Sequence, residues 1–217
     1  MITPGLLLVD KPVGLSSARV VEIVKRLSGI SKVGHGGTLD PFATGLLPIL
    51  LGREFTRDAD TLLQGDKEYL MTVRFGSETD SGDLTGCVVA RGDGTMPDVD
   101  ALRLAAVPFT GEIDQEAPAY SALKLDGKPL YWYARQGRPV VKPARRIVIH
   151  AIDVVECLPP DAVLAVRCGK GAYMRSLARD LGRALGCLGH LVALRRTAVG
   201  VHRVEDATPL WKLIADR

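Results

Sequence analysis

The segment Gly34-His-Gly-Gly-Thr-Leu-Asp-Pro-Phe-Ala-Thr-Gly45 holds the residues best suited to chemistry in this 217-residue chain. It sets one carboxylate, Asp40, in a glycine-rich loop, follows it with Pro41, and places His35 nearby. No Lys-Ser/Thr pair follows the glycines, so the loop is not a phosphate-binding P-loop, and the dinucleotide fingerprint is missing. By residue type alone, an Asp before Pro among glycines reads as a turn former. Cys87, Cys157, Cys168 and Cys187 contain no Cys-x-x-Cys pair and fit neither a zinc site nor a disulfide framework. Cys187-Leu-Gly-His190 has ligand-like spacing, but a single pair reads as ordinary packing.

The elements that must position Asp40 follow from pattern. Gly5 to Val9 reads as a buried strand, closed by the turn Asp10-Lys-Pro-Val-Gly14. Ser16 and Ser17 are cap candidates for a helix with Val20, Val21, Val24 and Leu27 at helical spacing, stopped by Gly29. An apolar stretch from Leu46 to Leu51 follows the loop. Strands are expected over Tyr69–Phe75, Asp83–Ala90, Arg146–Glu156, Ala162–Cys168 and His190–Val199. Helices are expected over Val99–Val107, Tyr173–Leu185 and Pro209–Ala215. Strands and helices mix without regular β-α-β alternation, which predicts an α+β fold with a mixed, mostly antiparallel central sheet flanked by helices.

Composition narrows the class. The chain is 47% hydrophobic and 24% charged, with a net charge of +3, so overall charge does not argue for nucleic acid. The distribution does. From Lys124 to Arg146 seven basic residues (Lys124, Lys128, Arg135, Arg138, Lys142, Arg145, Arg146) face one acid, Asp126. A basic stripe on a neutral body suits a phosphate-tracking surface, although a solvated basic loop has the same composition. The longest apolar run is too short to span a bilayer and no signal peptide opens the chain, so a cytoplasmic protein is expected.

The Asp40 segment resembles the motif Gly-His-Thr-Gly-Thr-Leu-Asp-Pro-x-Ala-Thr-Gly of the TruB family of tRNA pseudouridine synthases. The resemblance runs along nearly the whole chain. Asp10-Lys-Pro with Gly14 and Ser16-Ser17 is similar to the N-terminal motif, Lys67-Glu-Tyr69 to the Lys-x-Tyr motif, and Thr79-Asp80 with Asp83 and Gly86 to the acidic turn. Gln115, Pro118, Tyr120-Ser-Ala122, Lys124, Gly127, Tyr131 and Ala134-Arg135 resemble the RNA-binding insertion. Lys170-Gly171 with Tyr173 and Arg175 resembles the arginine motif, and Leu194-Arg195-Arg196 the late strand. Gly36, Ala117 and Ala172 depart from the usual Thr, Pro and Thr, and none replaces a residue expected to do chemistry.

The resemblance implies a pseudouridine synthase fold over residues 1–217, an RNA-binding insertion at about 118–146, and no C-terminal PUA-type domain. It implies isomerisation of uridine 55 in the T-arm of tRNA. That reaction is redox-neutral, so no cofactor and no metal are expected. Asp40 is the implied catalytic carboxylate, attacking C1′, attacking the base or abstracting a ribose proton. Arg175 is its implied partner, an adjacent guanidinium favouring the ionised carboxylate; the alternative is a surface residue on its helix. Tyr69 is the implied stacking partner of the flipped base, whereas a strand tyrosine is otherwise core. His35 fills the space that the base vacates, and Leu194 walls the pocket. Lys11, Tyr173, Lys124, Arg135, Arg138 and Lys142 are the remaining implied RNA contacts. The expected partner is tRNA, with no membrane and no obligate protein partner, and the expected state is a monomer.

Overall fold

The computed structural model describes residues 2–57, 59, 65–121, 123–138, 140 and 142–215. In chain order the first half runs β1 (Gly5–Lys11), α1 (Ser17–Ser28), β2 (Val33–His35), β3 (Thr44–Leu51), α2 (Arg53–Arg57), β4 (Lys67–Phe75), β5 (Ser77–Thr79), β6 (Val88–Arg91), α3 (Val99–Ala106) and β7 (Gly111–Gln115). The second half runs β8 (Lys124–Leu125), β9 (Lys128–Pro129), α4 (Leu130–Ala134), β10 (Arg145–Leu158), β11 (Asp161–Cys168), α5 (Met174–Ala184), β12 (Gly189–Val199), β13 (His202–Arg203), β14 (Thr208–Pro209) and α6 (Leu210–Ala215). These elements form two compact units, residues 1–70 with 194–217 and residues 71–193.

In the first unit β1 pairs antiparallel with the whole of β3, from Gly5↔Leu51 to Lys11↔Gly45, and parallel with β14. β3 also takes β2 antiparallel at Ile49–Leu51 and the end of β12 parallel at Thr44 and Gly45. Seven of the eight residues of β3 are buried. Burial on both faces explains why Leu46–Leu51 is a continuous apolar run without alternation. Leu46 and Leu50 pack with Val199 and Val204, and Leu6, Leu8 and Phe55 close over them. Helix α1 is capped as its sequence predicts: Ser16 Oγ accepts from Arg19 N at 3.2 Å, and Gly29 adopts φ 70° and returns its N–H to Lys25 O.

In the second unit β10 forms long antiparallel ladders with β11 and β7. Met71, Val73, Leu102, Ile149, Leu164, Leu177 and Leu181 are among its fully buried apolar residues. The fold class is α+β with a mixed, mostly antiparallel sheet, as expected. One strand is corrected: Asp83–Ala90 is not a strand. Val88–Arg91 pairs with β5, Asp83 makes one isolated parallel bridge to Leu191, and residues 80–86 form a tight turn around Asp83. The side chain of Asp83 accepts from Ser81 Oγ, Thr85 N and Thr85 Oγ1, and such local bonds compete with a ladder. The basic segment is folded on itself. β8 and β9 make a hairpin whose turn residues, Asp126 (φ 49°) and Gly127 (φ 78°), suit a tight two-residue connection. Leu130 and Ala134 of α4 are buried, and Tyr133 OH donates to Leu125 O. Among the described residues no helix is long and apolar enough to cross a membrane.

Candidate active site

Asp40 lies in the connection from β2 to β3, and the chain on either side of it is tied down. Ser17 Oγ accepts from Leu39 N at 2.8 Å and donates to Leu39 O at 3.0 Å, so the start of α1 grips the residue before Asp40. On the other side Pro41 O accepts from Gly14 N at 2.8 Å and from Lys11 Nζ at 3.2 Å. Asp40 O accepts from Ala43 N, which closes a turn around the Asp-Pro step. Ser16 and Ser17 thus divide the work, one capping the helix and the other clasping the loop.

Lys11 is 0% exposed. Its ammonium donates to Pro12 O, Leu15 O and Pro41 O, which uses all three N–H donors. Burial lowers its pKa to about 8, with the charge of Asp40 pulling it up and that of Arg196 pushing it down. Its electrostatic partner in this unit is therefore the Asp40 carboxylate. The contact with substrate expected of Lys11 is not open to an ammonium enclosed in this way; it holds the turn Asp10–Gly14 against the loop.

Arg196, on β12, is 1% exposed. Its Nε donates to Leu46 O at 2.8 Å and its Nη2 to Gly37 O at 3.0 Å, so one guanidinium spans both shoulders of the loop. Close approach makes this possible. Arg196 is the register partner of Gly45, and a Cβ on Gly45, at φ 99°, would overlap the Arg196 backbone. His35 lies beside this charge, and burial and Arg196 both hold its imidazole below the usual range, which keeps it neutral near pH 7. Leu194 is 7% exposed, and its carbonyl faces Thr44 Oγ1 at 3.5 Å. Tyr69 is 9% exposed and shares the buried face of β4 with Met71, Val73 and Phe75.

Arg175 belongs to the second unit and is 4% exposed, so it is not a surface residue of its helix. Its Nη1 donates to Ser81 O and its Nη2 to Tyr120 O, both at 2.9 Å, and its Nε stands 3.8 Å from Asp83 Oδ2. The end of β7 sets the start of α5. Gln115 clasps the backbone of Tyr173 from both sides, accepting from its N–H at 2.7 Å and donating to its carbonyl at 3.1 Å. Ser176 Oγ donates to Glu116 O at 2.6 Å. Gln115, grouped by sequence with the RNA-binding insertion, is 4% exposed and braces the arginine motif.

The basic segment presents Lys124, Arg135 and Arg138 as exposed residues. Lys142 is half-buried and donates to Lys124 O, and Arg135 stacks over the Tyr131 ring at 5.3 Å. Lys128 stands 3.7 Å above the Trp132 ring.

Residues 25–174 match the model of the N-terminal domain of TruB family pseudouridylate synthases, and residues 175–215 match that of the tRNA pseudouridylate synthase B C-terminal domain. The chain belongs to the TruB family of pseudouridylate synthases. It is 50% identical over 213 residues to tRNA pseudouridine synthase B of Bordetella avium, covering 97% of this chain and 87% of that protein. To the same enzyme of Aromatoleum aromaticum it is 49% identical, covering 99% and 69%. Among solved structures it superposes on a chain of a Cbf5-Nop10-Gar1 complex with a TM-score of 0.75 at 31% identity. A chain of an H/ACA RNP bound to a substrate RNA containing 2′-deoxyuridine gives 0.72 at 28% identity. Each superposition covers 97% of this chain, which spans about half the length of those two, 54% and 52%.

A pseudouridine synthase is an isomerase. Asp40 stands out by motif in this TruB chain, but two of the groups that hold its loop do not. Arg196 was placed only within a late-strand motif, and Ser17 only as a helix cap. A second Arg beside an apolar strand residue, and a second Ser where one suffices as cap, were the available signals.

Proposed function

We propose that this synthase converts uridine 55 in the T-arm of tRNA to pseudouridine, with Asp40 as the catalytic carboxylate and the target base flipped out of its stack. The observation that carries the reading is the clamped Asp40 loop, gripped by Ser17 before the carboxylate and by Lys11 and Gly14 after it. The names of the relatives at about 50% identity support tRNA as substrate over guide-directed RNA, since the Cbf5 chain is 31% identical. Isomerisation breaks the N1–C1′ bond, turns the uracil and joins C5 to C1′, so no atom is gained or lost. Asp40 meets the electron-poor centre, while His35, kept neutral, occupies space left by the extruded base. Extrusion costs a few kcal/mol, and stacking on an aromatic ring offsets about 1–3 kcal/mol of it; Tyr69 supplies that ring. Arg175, Tyr173 and Leu194 are the further residues that the family resemblance assigns to binding the base. The enzyme acts as a monomer in the cytoplasm, with no cofactor and no obligate protein partner.

Carbodiimide-blocked reverse transcription of tRNA tests this directly. Wild type should give a stop one nucleotide 3′ of position 55, whereas Asp40→Ala and Asp40→Asn should give none yet bind tRNA within several-fold of wild type. Multiple turnovers by Asp40→Ala would sink the assignment.

A further inference from the structure

We propose that Arg196 is the positioning residue of the Asp40 loop, fixing its geometry and placing a buried positive charge beside His35 and Lys11. This rests on the reading of Asp40 as the catalytic carboxylate. Three observations carry it.

First, Arg196 bonds to the loop at both ends. Gly37 O lies three residues before Asp40 and Leu46 O six residues after it, and one planar guanidinium fixes their separation. Lysine, with a single nitrogen on a flexible stem, cannot hold that fork. Second, the fold is shaped around the side chain. Gly45 allows the Arg196 backbone to come close, and Gly37, at φ 94°, leaves room for Nη1, which a Cβ there would approach to 3.3 Å. Third, the charge is buried without an acid of its own. Among the described residues Arg196 makes no ion pair, and its hydrogen bonds go to two carbonyls through Nε and Nη2. Burying a cation without a bonded carboxylate is unfavourable, and a neutral amide could serve carbonyls alone. The charge has another use. Its effects are on Lys11 and His35, both of which it pushes toward the neutral form, while Asp40 pulls Lys11 the other way. Lys11, His35, Asp40 and Arg196 thus form one electrostatic group around the loop.

The proposal separates geometry from charge. Arg196→Lys keeps the charge and loses the fork; Arg196→Gln loses the charge and keeps an amide donor. Single-turnover rates at saturating tRNA, KM, melting temperature and the His35 titration by NMR are read for each. Arg196→Lys should lose tenfold or more in rate with KM within about threefold of wild type, and its His35 pKa should stay low. Arg196→Gln should lose at least as much rate, and its His35 pKa should rise toward the ordinary imidazole value. A wild-type rate in Arg196→Lys overturns the geometric role, and an unmoved His35 titration in Arg196→Gln overturns the electrostatic one. Should Arg196→Gln not fold, Arg196→Lys alone decides the proposal through its rate and KM. The His35 titration does not depend on the role of Asp40, so failure here and failure of the Asp40 assignment are told apart by Asp40→Ala.

Discussion

Lys11 carries the pH dependence of the site at the scale of single residues. Its pKa of about 8 lies below its ordinary value of 10.5, chiefly because burial disfavours the charged form. The folded protein therefore releases this proton before the unfolded chain does. Between about pH 8 and 10.5 the unfolded state binds more protons, so the Lys11 contribution to stability rises with pH and is least favourable below 8. Activity should move the other way. A neutral amine has two N–H donors for three carbonyls and no charge beside Asp40, so turnover should fall as pH rises through about 8 without a matching fall in melting temperature. A pH–rate profile set beside melting curves checks this, and Lys11→Met should lack the step. Asp83 gives a second test. It accepts three hydrogen bonds in its turn and faces Arg175 Nε at 3.8 Å. Asp83→Asn should cost about 1.5–3 kcal/mol of stability, the range for bonds to a charged group, and should slow single turnover at saturating RNA. Wild-type turnover with the loss of stability alone would leave Asp83 with only a structural part. Asp40, Tyr69 and Arg175 were legible as a motif because their types and order carry it. Enclosure was not: nothing in Asp-Lys-Pro says that the ammonium has no exposed surface.

Elements explain which parts of the fold could be read. Helix α1 was legible to its caps because Ser16, the spacing of Val20 and Val24, and Gly29 are local signals. The Asp83 turn was not, because Leu84, Val88 and Val89 look like strand residues while the Asp83 side chain satisfies the backbone in place of a ladder. Clasps between distant segments, such as Ser17 with Leu39 or Gln115 with Tyr173, leave no periodicity to detect. The first of these is testable. Ser17→Ala removes both the donor and the acceptor for a buried backbone pair, so stability should fall by about 1–3 kcal/mol. The loop would lose its grip one residue before Asp40, and turnover at saturating tRNA should fall while KM changes little. Urea unfolding together with steady-state kinetics reads both. A variant that loses stability yet keeps wild-type turnover would show that the α1 clasp on the Asp40 loop has no part in turnover.

Across the whole molecule, charge is placed where the fold can present it. The net charge of +3 is small, but the segment from Lys124 to Arg146 holds seven basic residues. Its hairpin and short helix bury Leu130 and Ala134, which leaves the cations on the outside of an ordered piece. They are not equivalent. Lys142 is committed to the Lys124 carbonyl, and Arg146 lies 3.8 Å from Glu112 and 3.6 Å from Asp114. Lys124, Arg138 and Arg145 are exposed and make no ion pair among the described residues. If these three meet phosphates, each neutralised phosphate contributes roughly 0.7–0.9 to the slope of log affinity against log salt. Replacing all three with Gln should then flatten that slope by about two to three units and weaken binding most at low salt. The fold should survive, because exposed charges outside any ion pair contribute little to stability. A solvated loop with no RNA role predicts parallel slopes for wild type and variant. Filter-binding titrations of both proteins over a range of salt concentrations, with full tRNA and with an isolated T-arm hairpin, separate the two outcomes. An equal change of slope on the hairpin would place the contacts within the T-arm itself, and a change seen only on full tRNA would move them to another part of the substrate.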